Sequence, residues 1–164
     1  MPSKTYELIA TTTTSSAASS VTMSSIPATY TDLVIVGNYT VANGGGVGFS
    51  CRFNSDSGTN YEFEGHYSNG TSVNYNFATG YTMTYLSIAD NSNRTTTVSH
   101  IQNYAATNMY KPILTHSGNA VWNSTYTGSW NNSGSAINSI TFVCDGGSNI
   151  SSGSKFSIYG ILKA

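Results

Sequence analysis

Val47-Gly48-Phe49-Ser50-Cys51-Arg52-Phe53-Asn54 carries an apolar side chain at every second position from Val47 to Phe53. Successive side chains of an extended chain point to opposite faces, so Val47, Phe49, Cys51 and Phe53 share one side, which reads as a strand with one buried face. Turn-forming residues bound it: Asn43-Gly44-Gly45-Gly46 before, and Asn54-Ser55-Asp56-Ser57-Gly58 after. Asn and Gly tolerate the positive φ that tight turns require. The unit predicted here, an alternating strand between polar turns, recurs in both directions along the chain.

Toward the N-terminus, Asp32–Asn38 is apolar on both faces, which predicts a central strand covered on both sides. Ala18–Ser24 places Val21 and Met23 inward, and Thr5–Ala10 places Tyr6 and Leu8 on one face. The low-complexity run Thr11–Ser20 between them reads as a long turn. Toward the C-terminus, Asn60–Ser68 ends at Asn69-Gly70, a hairpin dipeptide. Tyr81–Ala89, Thr95–Tyr104, Tyr110–His116, Ala120–Trp130, Ala136–Cys144 and Ser154–Leu162 follow. Val98 and Ile101 are out of step by one, which fits a bulge. Lys111-Pro112 marks an edge strand or a strand entrance. The first and last strands are strongly apolar, which predicts interior positions side by side. About ten strands at this spacing predict an all-β fold, an antiparallel sandwich or barrel. No linker or internal repeat divides residues 1–164, so one domain is expected.

No window of eleven or more residues shows helical apolar spacing. Only 8% of the 164 residues are charged, while Ser, Thr, Asn and Gly make up roughly half, against a usual charged share of about 25%. Disorder is excluded by an aromatic content of 12%, because disordered chains are poor in aromatic residues. A net charge of −1 gives no basic face for nucleic acid or anionic lipid. No apolar run approaches the ~18 residues of a membrane span. Met1–Tyr6 lacks the basic start and apolar stretch of a secretion signal, so synthesis in a cytoplasm is expected.

Few groups are placed for chemistry. Glu62, Glu64 and His66 alternate, so on a strand all three project from one face. They are expected on a solvated outer face with Phe63 and Tyr67 inward; a divalent metal or an acid–base pair is the sharper alternative. The spacing of His66, His100 and His116 matches no short zinc signature. Gly44–Gly48 lacks the Lys-Ser/Thr ending of a phosphate loop and reads as a hairpin. Six Asn-x-Ser/Thr sequons, at Asn38, Asn69, Asn93, Asn123, Asn131 and Asn149, follow from composition. Cys51 and Cys144 both alternate with core residues, so both are expected inside as free thiols, with a disulfide between facing strands as the alternative. No cofactor is implied. Trp122, Tyr126 and Trp130 recur every four residues and share a strand face, and Tyr75, Phe77, Tyr81 and Tyr85 form a second aromatic patch. Each set can be core, subunit interface or a platform for sugars.

Several segments, in order, carry a family resemblance: Tyr6-Glu7-Leu8-Ile9-Ala10 before the Ser/Thr/Ala run, Ile26–Ile35, Arg52–Tyr61, Ile140-Thr141-Phe142, and Gly153–Ile161. With these segments the chain resembles a widespread group of small bacteriophage virion proteins. From Gly65 to Ser135 the likeness is one of character only. The resemblance implies a jelly-roll-like β-sandwich, without enzymatic activity, displayed on the outer surface of a virion. It implies a capsid decoration (cement) protein that binds major capsid protein or other virion proteins, often as a homotrimer, and stabilises the assembled head by binding it in preference to free subunits. A tail or fibre module recognising host glycan is the alternative, and a metal-dependent hydrolase using Glu62, Glu64 and His66 is the third. The contact residues expected are Trp122, Tyr126 and Trp130, then Lys111, Pro112, Ile113 and the N-terminal segment.

Overall fold

The computed structural model describes residues 5–162. Twelve strands follow one another: β1 (Tyr6–Thr13), β2 (Ser20–Met23), β3 (Asp32–Tyr39), β4 (Gly45–Phe53), β5 (Tyr61–Ser68) and β6 (Val73–Tyr81) in the first half. The second half holds β7 (Thr84–Asp90), β8 (Thr95–Ile101), β9 (Lys111–Gly118), β10 (Asn123–Trp130), β11 (Ile140–Cys144) and β12 (Lys155–Ile161), with one 3₁₀ turn at Asp145–Gly147. They form two sheets, an eight-stranded one in the order β1-β12-β3-β8-β9-β10-β5-β6 and a four-stranded one in the order β2-β11-β4-β7. Every pairing is antiparallel. The fold is a β-sandwich, and the unequal sheets leave the outer face of the large one broad.

Alternation builds the core, as the β4 stretch predicts. Phe49, Cys51 and Phe53 are fully buried. Phe49 stacks on Tyr39 with ring centroids 3.9 Å apart, and Phe156 stacks on Phe142 at 4.5 Å, so rings from both sheets interdigitate. A second aromatic group joins Phe53 to Tyr61 and Trp130. Buried hydroxyls are paired: Tyr39 meets Ser87 across the layers and Thr97 within its own sheet, and Thr115 donates to Ser99 on the neighbouring strand at 2.9 Å. Where Tyr126 on β10 crosses β5, the partner residue is Gly65; a Cβ there would lie 2.3 Å from the Thr125 carbonyl and 2.4 Å from the Tyr126 ring. Asn69-Gly70 forms a hairpin turn as expected, and it joins β5 to β6. The Asn69 side-chain oxygen accepts from the Thr71 and Ser72 amides, and Gly70 has φ of 85°.

Several expectations are corrected. β6 forms where no strand is expected: Val73-Asn74-Tyr75-Asn76-Phe77 alternates, but its apolar members face solvent. β1 lies beside β12 as expected, yet at the edge of the large sheet, and it runs on into the Thr run to Thr13. β3 is central in its sheet, but only one face is covered by the second layer; Val34 and Val36 on the other face are half-buried. β8 pairs in unbroken register on both sides, so Val98 reflects an outward apolar residue and not a bulge. β9 is interior, with Lys111-Pro112 at its entrance, where Pro112 lies beyond the end of the β8 pairing. Cys51 and Cys144 are free and buried. Cys51 pairs with Phe142 and Cys144 with Phe49, a diagonal placement whose ~7–8 Å span exceeds disulfide reach.

Candidate functional site

The outer face of the eight-stranded sheet is the largest continuous surface the fold builds. Register aligns its residues in rows across the strands. One row runs Leu8, Tyr159, Val34, His100, Leu114 from β1 to β9. The next runs Thr11, Ser157, Val36, Val98, His116 over the same strands. Together they form an apolar island in which Leu8 is 52%, Val98 45% and Leu114 39% exposed. Charge enters the first row at His100, between Val34 and Leu114, and otherwise lies at the margin. His100 is engaged with Asp32 at 2.9 Å, and Asp32 also accepts the Asn103 amide at 2.8 Å. Arg94 is held at the end of β3 by the Asn38 side chain at 2.7 Å and by the Gly153 carbonyl. An apolar centre with a polar rim is the anatomy of protein interfaces.

Beyond β9 the same rows change character. They continue through Thr127, Glu64 and Phe77, and through Thr125, His66 and Tyr75. The side chains on β10 are short and those on β5 and β6 are long, so a groove runs along the sheet. One part of it, about 370 Å³, is lined by Glu62, Glu64, Phe77, Thr79, Thr127 and Ser129 among others. A one-residue bulge in β6 opens it, between the pairs Tyr61–Tyr81 and Phe63–Ala78, with Gly80 at φ 63°. Tyr75 donates to Glu64 at 3.1 Å and Ser129 donates to Glu62 at 3.0 Å. The bond to the Glu64 carboxylate raises the pKa of the Tyr75 hydroxyl.

The expected contact residues are mostly inside. Tyr126 and Trp130 do share a face, but it is the inner one, and each is 1% exposed. Lys111 and Ile113 are also buried, Trp122 is half-buried, and of this set only Pro112 stands on the open surface. Side chains buried in their own chain have no area to give a partner, so those contact expectations are corrected to core roles. Trp130 donates its indole N–H to Asp56 at 2.7 Å, and Lys111 lies over the same ring and donates to the Asn132 carbonyl at 2.6 Å. Burial lowers the Lys111 pKa. Of the N-terminal segment, residues 1–4 lie outside the described residues. The second aromatic patch divides: Tyr75 and Phe77 face out, while Tyr81 and Tyr85 pack on Phe63.

Glu62, Glu64 and His66 lie on the outer face, with Phe63 turned inward. Among the described residues, no group of three or more His, Cys, Asp or Glu is arranged to hold a metal ion. His66 and His116 flank Thr125 from either side, with His116 bonded to its hydroxyl at 3.2 Å, while His100 lies apart at Asp32. The aspartates serve local structure. Asp90 accepts the Ser92 and Asn93 amides, and Asp145 accepts from Tyr85 and has its pKa raised by burial. No described helix is long and apolar enough to cross a membrane. The sequence pattern hides the island because Leu114 and Leu8 sit beside the apolar Ile113 and Ile9, and Val98 lies between the inward hydroxyls Thr97 and Ser99, so each reads as misplaced core. The exposed alternation of β6 is the available signal for the groove wall. No protein-family model matches the chain, and no curated protein matches it significantly.

Proposed function

We propose that this protein is a non-enzymatic bacteriophage structural protein that decorates and stabilises the assembled head on the outside of the virion. It attaches to major capsid protein as a homotrimer, through the apolar island on β1, β12, β3, β8 and β9. The exposure of Leu8, Val98 and Leu114 together on one flat sheet face carries the reading. The family resemblance supplies the particle.

Size supports more than one copy acting at once. Five strands at about 4.8 Å spacing and eight residues at about 3.3 Å give roughly 600 Å² for this whole half of the face, of which the two rows are a part. A stable interface covers about 800 Å² on each side, so one island alone binds weakly. Three islands on one trimer bind an assembled shell with the gain of effective concentration and do not bind a lone subunit that way. The low charge makes such attachment insensitive to salt.

The test is co-sedimentation with shells purified without the protein. Full burial of Val or Leu is worth about 1.5–3 kcal/mol, so the 45% and 39% of surface still exposed at Val98 and Leu114 correspond to roughly 1.3–2.5 kcal/mol together. V98S/L114S is therefore expected to weaken each island about 10- to 70-fold, a trimer engaging three islands by more, and to lower the melting temperature by several degrees while the fold is kept. Unaltered binding by this variant, or a native location confined to the tail, overturns the proposal.

A further inference from the structure

We propose that the groove between β10, β5 and β6 is a carbohydrate-binding site for a neutral glycan chain. This does not depend on the decoration reading, which uses the other half of the sheet. A sugar ring offers two complementary surfaces, an apolar C–H face and a rim of hydroxyl groups. The groove offers the counterpart of each.

Tyr75 and Phe77 form its wall. Their rings are 54% and 66% exposed, with centroids 5.5 Å apart and planes tilted by 33°. Large rings left open on a strand are costly to solvate and mark a binding surface when they cluster. Tyr75 is oriented by its bond to Glu64, so little ordering is lost on binding. Glu62 and Glu64 stand below the rings, and each accepts one protein hydrogen bond, from Ser129 and Tyr75 respectively. A carboxylate has about four acceptor sites. The remaining ones face the groove and suit adjacent sugar hydroxyls, which donate. The four aspartates Asp32, Asp56, Asp90 and Asp145 are each engaged by amide, indole, imidazole or phenol donors of the fold. Glu62 and Glu64 thus stand out as carboxylates with free capacity beside an aromatic surface. The hydroxyls of Thr127 and Ser129 line the floor. The volume of about 370 Å³ falls at the small end of ligand sites, the range of one or two sugar rings, and the groove continues past His66 and Thr125 for a longer chain.

Of the two aromatic sets that could stack on sugars, Trp122, Tyr126 and Trp130 fail because two of those rings are within the core, while Tyr75 and Phe77 of the other set remain open. The stacking surface is two strands away, on a strand whose apolar period points outward.

Affinity electrophoresis through native gels containing bacterial O-antigen polysaccharides, galactans and glucans tests this. Retardation by at least one polysaccharide is expected, unchanged in 0.5 M salt. E64Q should weaken it roughly tenfold, the value of a hydrogen bond to a charged group, and Y75A/F77A should abolish it. V98S/L114S, on the other half of the face, should retain it. The thermal melt of E64Q is expected to match the parent, and that of Y75A/F77A to fall by only a few degrees, since most of these side chains is exposed. No retardation by any polysaccharide overturns the proposal. So does retardation that survives Y75A/F77A, and so does retardation lost in salt, which would mark an electrostatic contact and not recognition of a neutral sugar.

Discussion

Replacing Gly65 by alanine tests the packing on which both surfaces rest. Gly65 lies on β5 directly opposite Tyr126 of β10, and the added Cβ would sit 2.3 Å from the Thr125 carbonyl oxygen, 2.4 Å from the Tyr126 ring and 2.9 Å from its Cα. Two of these atoms are backbone of a strand paired on both sides, with β5 and β9, so no rotamer change relieves the clash. Restoring an ordinary contact of about 3.4 Å means moving β10 from β5 by about 1 Å, enough to break roughly two ladder hydrogen bonds at about 1 kcal/mol each. Overpacking Tyr126 adds about 1–3 kcal/mol. The sum, about 4 kcal/mol, corresponds to a fall in melting temperature of roughly 8–16 °C for a chain of this size. Gly70 is the internal control. Its φ is 85° and nothing lies within 4 Å of the point an added methyl group would occupy, so G70A meets conformational strain without a clash and should cost about 1 kcal/mol, or 2–4 °C. Circular dichroism or calorimetric melts of the two variants decide it. A G65A protein that melts within about 2 °C of the parent, the least that even 1 kcal/mol would produce, refutes the close approach of β5 and β10.

Two further outcomes concern buried groups. Burial opposes the charge on Asp56, but donors from Trp130, Asn60 and Gly58 outweigh it and hold its carboxyl below the usual range. A carboxyl lowered in the folded state stabilises the fold above its unfolded value of about 3.9, and that contribution disappears as pH falls through the folded value; urea midpoints of D56N should therefore drop less between pH 7 and pH 3 than those of the parent, and equal drops would exclude the role. Burial raises both thiols, Cys144 to about 12 and Cys51 further, so an aromatic disulfide reagent should leave the native protein unlabelled at pH 8 and titrate both cysteines after denaturation. Rapid labelling of the folded protein, or none after unfolding, contradicts two free core thiols.

Strands are legible wherever one face is apolar and the other polar. β4, β5 and β11 follow their alternation because burial rewards a single register. The inward placement of Phe49, Cys51, Phe53 and Phe63 follows directly, as does the outward row Glu62, Glu64, His66. The pattern misleads where both faces carry apolar residues. On β9, Ile113 and Leu114 are neighbours of similar hydrophobicity, yet one is 3% and the other 39% exposed, and only the position of the second sheet decides which. Trp130 illustrates the same gap. Its amphipathic ring suits a surface, but Asp56, 74 residues earlier, supplies the acceptor that lets it sit inside. β6 escapes the pattern for a related reason: its apolar side chains point away from the core, so its period carries no sign of burial. The two surfaces thus arise from residues whose chemistry is plain in the chain and whose side of the sheet is set by distant partners.

The meeting of Thr5 and Leu162 at one border of the large sheet has a practical result. Leu162 donates its amide to the Thr5 carbonyl at 3.1 Å, at the β1 margin, across the full width of the sheet from β6. A fluorescent protein or purification tag fused beyond either residue continues a chain that leaves the described fold at the same corner. It would crowd the Leu8 side of the apolar island and leave the Tyr75–Phe77 wall open, so labelled protein reports faithfully on sugar capture while understating attachment to a shell.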